Sequence, residues 1–210
     1  MIPKIIHQVW IGNKPIRLKH RGFMSQLKSM HPTWEYKFWN NVNIESILEG
    51  TPWFNKIQNS RNPIEIEILS DIIRFRILKK FGGIYSDIDC ECVASLDPLL
   101  NCNDFFIGFS NVKYNEPLVI PAVFGTVQTG KIISNLVQDE NLFYSESMKL
   151  KEPDSRRISN QIFQSIDQDT IIYNYKYFYQ WDYETFSSPK ILEPNAYLIH
   201  HYENTRINKN

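Results

Sequence analysis

The chain has 210 residues, of which 42% are hydrophobic and 14% aromatic, and its 23 basic side chains balance its 23 acidic ones. The length suits one folded domain spanning residues 1–210, and the composition excludes a disordered chain. A net charge of zero gives no overall attraction to DNA or RNA, so we expect no nucleic-acid partner. Three cysteines cannot all pair, and no apolar run approaches a membrane span, so we expect a cytoplasmic protein.

The first forty residues show a strand, a helix and a second strand. The apolar, β-rich segment 4–11 predicts a buried strand that opens the fold. The basic segment 14–30 predicts a helix, and alternating aromatic and polar side chains predict a strand over 33–39.

The next helix has the clearest boundaries in the sequence. Asn62 suits the N-cap, Pro63 suits the first helical position, and Glu65 lies where a capping box places an acid. Gly82 and Gly83 supply a left-handed stop. Apolar residues between these ends cover most of the helix circumference, so we expect this helix to be buried on several sides.

Strands and helices continue to alternate after this helix. We predict strands over 84–92, 118–124 and 196–202, and a helix over 131–144. This alternation favours an α/β fold with a mostly parallel central sheet.

Three carboxylates are concentrated in the predicted strand 84–92. Because side chains alternate along a strand, Asp87, Asp89 and Glu91 are expected on one face, roughly 6–7 Å apart. A divalent cation would turn the repulsion between these charges into attraction, and oxygen ligands suit Mg²⁺ or Mn²⁺. A solvated acidic edge is the alternative for a bare D-x-D pattern.

An acid and an arginine lie within the apolar helix before this strand. Asp71 and Arg74 are three positions apart and therefore share a helix face. Burying either side chain alone would cost several kcal/mol, so each needs a partner or a polar ligand. A plain surface ion pair is the alternative.

Three segments together resemble the D-x-D sugar-transferase family, glycosyltransferase family 32, which is related to the clostridial glucosylating toxins. They are I-P-K-I-I-H-Q-V-W-I-G at 2–12, S-D-I-I-R at 70–74 and F-G-G-I-Y-S-D-I-D at 81–89. The resemblance implies a GT-A fold, a Rossmann-like domain that binds a nucleotide-sugar and Mn²⁺ or Mg²⁺ and transfers the sugar with retention. It favours a UDP-sugar as donor, with GDP-mannose as the other candidate. The implied acceptor is a glycan, polysaccharide or lipopolysaccharide.

The resemblance implies a metal site near the D-x-D segment. Asp89 would ligate the metal, and Asp87 would contact the donor and support the metal indirectly. One further residue near the C-terminus, either His200 or His201, would complete this site, and Glu203 is another candidate for contact with metal or pyrophosphate. A structural histidine in a terminal strand is the alternative.

The resemblance also implies donor contacts. Asp71 and Arg74 would hold sugar hydroxyls, and Tyr85 would line the donor pocket. Val9 and Trp10 would lie against the donor at the end of the first strand, with Trp10 on the nucleobase. The candidate catalytic residues are therefore Asp71, Arg74, Asp87 and Asp89.

Three other segments have competing interpretations. Residues 125–132 nearly match a P-loop, but Ile132 replaces the Mg²⁺-binding hydroxyl, so a P-loop phosphotransferase is the rival enzyme class. The basic segment 14–28 suits an anionic donor, acidic lipid headgroups at the inner face of a membrane, or plain solvent. The aromatic segment 173–186 is either a sugar-binding platform, as in a carbohydrate-binding module, or core and dimer interface.

Overall fold

The computed structural model describes residues 1–102, 104–110, 117–180 and 193–203. The strands are β1 (Ile5–Trp10), β2 (Glu35–Asn40), β3 (Gly83–Ser86), β4 (Cys90–Cys92), β5 (Phe105–Phe109), β6 (Val119–Thr126), β7 (Thr170–Tyr173) and β8 (Leu198–His200). The α-helices are α1 (Leu18–Met30), α2 (Glu45–Leu48), α3 (Trp53–Asn59), α4 (Pro63–Phe81), α5 (Lys131–Gln138), α6 (Glu140–Leu150) and α7 (Ser155–Ser165).

A six-stranded sheet in the order β2-β1-β3-β6-β5-β7 forms the centre of the fold. The pairs β1–β2, β1–β3 and β5–β7 are parallel, whereas β6 runs antiparallel to both of its neighbours. This arrangement confirms the predicted α/β fold with a mostly parallel sheet. The short strands β4 and β8 form a separate antiparallel ribbon beside it.

Helix α4 forms because local signals define both of its ends. The Asn62 carboxamide accepts a hydrogen bond from the Ile64 amide at 3.0 Å, as predicted for the N-cap. The predicted capping box is not formed, because Glu65 accepts from the Ser60 hydroxyl instead, and that hydroxyl accepts from the Asn62 amide. At the other end, Gly82 has a φ of 65° and stops the helix.

Helix α4 is buried on all sides in its middle, as predicted. It packs on β1, β3 and β6 of the sheet and on the helices α2, α5 and α6. From Ile68 to Leu78, every residue except Arg76 is buried, so polar groups on this stretch need partners inside the protein.

The strands β1 and β3 approach each other closely next to the end of α4. Gly83 has a φ of 95°, and a Cβ atom there would lie 2.6 Å from the Ile5 carbonyl oxygen. The buried His7 imidazole lies beside it, accepting from the Trp39 indole at 3.1 Å through Nδ1 and lying 3.0 Å from the Gly82 carbonyl oxygen through Nε2. These partners require the neutral Nε2–H tautomer, and burial lowers the pKa of His7 to about 3.

Two predicted helices differ from the structure in their bounds. Helix α1 begins at Leu18 rather than at residue 14, because Pro15 keeps Lys14 out of the helical conformation and the Trp10 indole holds the Lys14 carbonyl at 2.7 Å. The predicted helix 131–144 is two helices, α5 and α6, which meet at Asp139. The Asp139 carboxylate binds the guanidinium of Arg157 on α7 at this junction.

Candidate active site

The D-x-D segment occupies a turn between β3 and β4, so the prediction of one continuous strand over 84–92 is wrong. Strand β3 ends at Ser86, and the turn that follows is closed by the Cys90 amide, which donates to the Asp87 carbonyl at 3.1 Å. The chain then leaves the sheet because β4 pairs with β8 instead. A strand's alternation therefore does not govern the directions of these carboxylates.

The turn separates the three carboxylates that were predicted to share a face. Asp87 Oδ2 and Asp89 Oδ1 lie 3.7 and 3.3 Å from Nε2 of His200, the last residue of β8. Glu91 instead contacts His201 Nε2 at 3.0 Å. The structure therefore brings His200 to the D-x-D pair and places His201 with Glu91.

The Asp71–Arg74 pair lies inside the protein and reaches the D-x-D turn. Arg74 is 6% and Asp71 5% exposed, which excludes the surface ion pair considered from the sequence. Arg74 Nη2 lies 3.1 Å from Asp71 and 3.3 Å from Asp87. Its Nη1 donates to the Pro121 carbonyl at 2.6 Å, and its guanidinium lies 4.5 Å from the centre of the Tyr85 ring. One guanidinium thus links α4, β3, β6 and the turn.

Asp87 is held as a carboxylate by this environment. The Tyr85 hydroxyl donates to Asp87 Oδ1 at 2.6 Å. Burial alone would raise the pKa of Asp87, but Arg74 and His200 outweigh it and lower the pKa to about 2. Gln8 was not predicted as a site residue, yet its side-chain amide donates to the Asp87 carbonyl at 3.2 Å. Its position beside His7 in a mostly apolar, buried strand is the signal that could have identified it.

The donor set around His200 fits a hard divalent cation. Burial disfavours the imidazolium, but Asp89 and Asp87 raise the pKa of His200 to about 9. His200 Nδ1 is buried without a hydrogen-bond partner in the described part of the chain. Cys90 lies within 4.8 Å of Asp89 and His200, but burial raises its thiol pKa, so it stays protonated. Carboxylate oxygens and an imidazole suit Mg²⁺ or Mn²⁺ better than a thiol does.

The two predicted donor contacts on β1 are both largely buried. The Val9 side chain belongs to the hydrophobic core next to α4. Trp10 is 8% exposed, and its indole donates to the Lys14 carbonyl. Contact between the donor and either residue remains a prediction.

Glu203 joins the D-x-D turn to the start of α1. Its backbone amide donates to Asp89 Oδ2 at 3.0 Å. Its carboxylate contacts Lys19, His20 and Arg17 at 2.6, 3.0 and 3.3 Å. Burial would raise the pKa of Glu203, but Lys19 and His20 outweigh it and lower that pKa. The contact between the basic segment 14–28 and Glu203 was not predicted from the sequence.

Four of the aromatic side chains in the described part of the segment 173–186 pack in the core, whereas Tyr175 is exposed. Tyr173, Tyr177, Phe178 and Tyr179 pack in the hydrophobic cluster on one side of the sheet. The Tyr179 hydroxyl accepts from the Val123 amide at 3.1 Å, which ties this segment to β6. Residues 181–186 lie outside the described ranges, so the sugar-platform interpretation of that part remains a prediction.

The segment 125–132 does not form a phosphate-binding loop. Gly125 is a paired residue of β6, and a Cβ atom there would overlap the Phe106 ring. At Gly130 the space is closed by the Asp104 carboxylate, which would lie 2.5 Å from a Cβ atom at that position. A carboxylate in this place would repel a phosphate, so the geometry disfavours a P-loop phosphotransferase.

Residues 19–106 match the family described as glycosyltransferase sugar-binding region containing DXD motif. Over this region, the chain is similar to DXD-containing glycosyltransferases. The matched region contains Asp71, Arg74, Tyr85 and both D-x-D carboxylates, whereas His200 and Glu203 lie beyond it.

Curated glycosyltransferases resemble the chain over part of their length. Inositol phosphoceramide mannosyltransferase 3 of Schizosaccharomyces pombe is 43% identical over 101 residues, which cover 48% of this chain and 28% of that protein. Mannosyl phosphorylinositol ceramide synthase SUR1 of Saccharomyces cerevisiae is 28% identical over 216 residues, covering 100% of this chain and 51% of the relative. The chain thus spans about half or less of these relatives.

Solved glycosyltransferase structures share the fold. The PaToxG glycosyltransferase matches with a TM-score of 0.53 at 20% identity, covering 79% of this chain and 70% of that one. The galactosyltransferase LgtC matches with a TM-score of 0.52 at 14% identity, covering 93% and 86%. This likeness shows the GT-A type of α/β fold and nothing about substrate.

Proposed function

We propose that the chain is a metal-dependent, retaining glycosyltransferase that moves a hexose from a nucleotide-sugar to an acceptor hydroxyl. The observation that supports it most is the convergence of three elements at the D-x-D turn. His200 on β8 lies within 3.7 Å of both Asp87 and Asp89, and Arg74 on α4 links Asp87 to Asp71.

Each carboxylate at the turn would have a separate task. Asp89 and His200 would hold the cation, and Asp87 would support it through Oδ2, because its Oδ1 already accepts from Tyr85 and faces Arg74. A bound Mn²⁺ or Mg²⁺ would stabilise the charge of the diphosphate leaving group.

Asp71 and Arg74 would fix the sugar for the transfer. Arg74 is held by the Pro121 carbonyl and the Tyr85 ring, so it need not reorganise when the donor binds. We propose a front-face reaction in which the acceptor hydroxyl approaches the anomeric carbon from the side of the departing diphosphate. The acceptor oxygen forms the new glycosidic bond, the old bond to the phosphate oxygen breaks, and the hydroxyl proton passes to that oxygen.

The names of the relatives guide the choice of donor and acceptor. Because several are named as inositol phosphoceramide mannosyltransferases, we propose GDP-mannose as the first donor to test, ahead of the UDP-sugars favoured from the sequence. A lipid with a hydroxylated headgroup is the corresponding acceptor, ahead of a polysaccharide. Within the described ranges, the helices are too short or too polar to span a bilayer. We propose that the basic segment 14–28 supplies membrane contact.

A thermal-shift screen of nucleotide-sugars with and without Mn²⁺ tests this proposal. We expect one nucleotide-sugar to raise the melting temperature only when Mn²⁺ is present, because the cation joins its diphosphate to Asp89 and His200. His200→Gln should lose this shift, whereas His201→Gln should keep it, because His201 faces Glu91. A metal-independent shift, or equal losses in both variants, would contradict the proposed site.

A further inference from the structure

Basic side chains at the start of α1 surround a single carboxylate beside the D-x-D turn. Lys19 Nζ lies 2.6 Å from Glu203 Oε1, while His20 Nε2 and Arg17 Nη1 lie 3.0 and 3.3 Å from Oε2. The Glu203 amide contacts the Asp89 carboxylate at 3.0 Å. The cluster therefore adjoins the carboxylate that we assign to the metal.

The positive charge of this cluster exceeds what one carboxylate neutralises. Arg17 and Lys19 carry two formal charges, and the helix dipole adds partial positive charge at the same end. The first turn of α1 has no acidic residue and no side-chain cap, and no acid occurs between positions 14 and 34. His20 is fully buried, and the ring atom that faces the Glu203 carboxylate is its Nε2. Arg17 and Lys19 are exposed enough to meet a ligand, and an anion with more charge than a carboxylate would suit them better.

We propose that Arg17, Lys19 and His20 bind the diphosphate of the nucleotide-sugar, and that the Glu203 carboxylate occupies this anion site until the donor displaces it. The inference rests on the proposed function. A diphosphate carries more negative charge and more acceptor oxygens than a carboxylate, so it competes well for the same donors. The amide contact puts the Glu203 main chain next to Asp89, the carboxylate that would hold the cation shared with the diphosphate.

Calorimetric titration with nucleoside diphosphates and nucleosides tests this proposal on the full chain with Mn²⁺. Glu203→Gln removes the competing charge and should tighten binding of GDP or UDP by about threefold to tenfold. Lys19→Met removes a charge-assisted hydrogen bond and should weaken the same diphosphate roughly tenfold. Neither substitution should change the affinity for guanosine or uridine, which lack the phosphates.

A second Lys–Glu pair provides matched controls. Lys149 and Glu146 on α6 form an exposed ion pair at 2.8 Å, remote in the chain from the D-x-D turn. Lys149→Met and Glu146→Gln make the same chemical changes and should leave diphosphate affinity unaltered. If substitutions at both pairs change diphosphate affinity by similar amounts, the effect comes from the net charge of the protein and not from a local site, and the inference is overturned.

Three further results would overturn the inference. If Glu203→Gln lowers the affinity for diphosphates and nucleosides alike, the role of Glu203 is only to hold the C-terminal segment against α1. If Glu203→Gln increases the affinity for inositol 1-phosphate but not for any nucleoside diphosphate, these basic side chains bind the acceptor and not the donor. If the wild type binds a diphosphate and neither Glu203→Gln nor Lys19→Met changes its affinity, these basic side chains do not bind the diphosphate. The proposed function would fail differently, with the wild type binding neither GDP nor UDP in the presence of Mn²⁺.

Discussion

Replacement of Arg74 by methionine should strongly destabilise the protein. The guanidinium is 6% exposed and contacts two carboxylates, Asp71 at 3.1 Å and Asp87 at 3.3 Å, as well as the Pro121 carbonyl at 2.6 Å. Methionine fills much of the volume but leaves these acceptors without their cation. Breaking a buried ion pair by removing one partner costs about 3–5 kcal/mol, so we expect a loss of that size in the free energy of unfolding.

Urea denaturation followed by circular dichroism measures this loss, and three other variants calibrate it. Arg74→Lys keeps the charge but loses the planar fork, so it should cost about 1–3 kcal/mol. The double variant Asp71→Asn with Arg74→Met should recover part of the loss, because one unpaired carboxylate is then neutral. Arg61 is exposed and bonds only main-chain carbonyls among the described residues, so Arg61→Met should cost less than about 1 kcal/mol. A cost below about 1 kcal/mol for Arg74→Met would refute the reasoning.

Two further predictions concern the junction of β1, β3 and α4. Gly83→Ala should lower the free energy of unfolding by about 2 kcal/mol or more, because φ is positive and the new Cβ would press on the Ile5 carbonyl. Gly22→Ala, in the middle of α1 with open space around it, should instead raise that free energy by about 0.5–1 kcal/mol, and a loss at both glycines would contradict this explanation. The folded protein lowers the pKa of His7 from 6.5 to about 3. Below pH 6.5 the unfolded state therefore binds a proton that the native state does not bind, and the free energy of unfolding falls as the pH falls. Between pH 7 and pH 5 we expect His7 to lower the free energy of unfolding by about 2 kcal/mol, as measured by urea denaturation. His7→Asn should lack this part of the pH dependence, and the same pH dependence in both proteins would contradict the explanation.

Elements with local end signals could be predicted from the sequence, and elements with distant partners could not. Helix α4 has its cap at Asn62 and its stop at Gly82, so its predicted and observed bounds agree. The strand predicted over 84–92 breaks because Cys90–Cys92 pairs with β8, more than a hundred residues away, and no local pattern records that pairing. Helix α7, which packs on β6 and α5, was not predicted from the sequence.

The candidate site shows the same division. Helix periodicity was enough to put Asp71 and Arg74 on one face, and their burial followed from the apolar residues around them. The choice between His200 and His201 depends on the register of β4 and β8, in which Cys90 lies opposite His200. A shift of one residue would exchange the two histidines, so the sequence alone left both open.

The most direct test of the central claim is the rate at which the protein releases nucleoside diphosphate from a nucleotide-sugar in the presence of Mn²⁺. With GDP-mannose or the donor selected by thermal shift, the wild type should release it only when the metal is added. Asp89→Asn should lose at least about 100-fold in rate in a protein that still folds, because the oxygen that would bind the metal is replaced by an amide. Asp97→Asn, the same substitution at an exposed residue paired with Lys4, should match the wild type. Release without metal, or an Asp89→Asn protein as active as the wild type, would contradict the account.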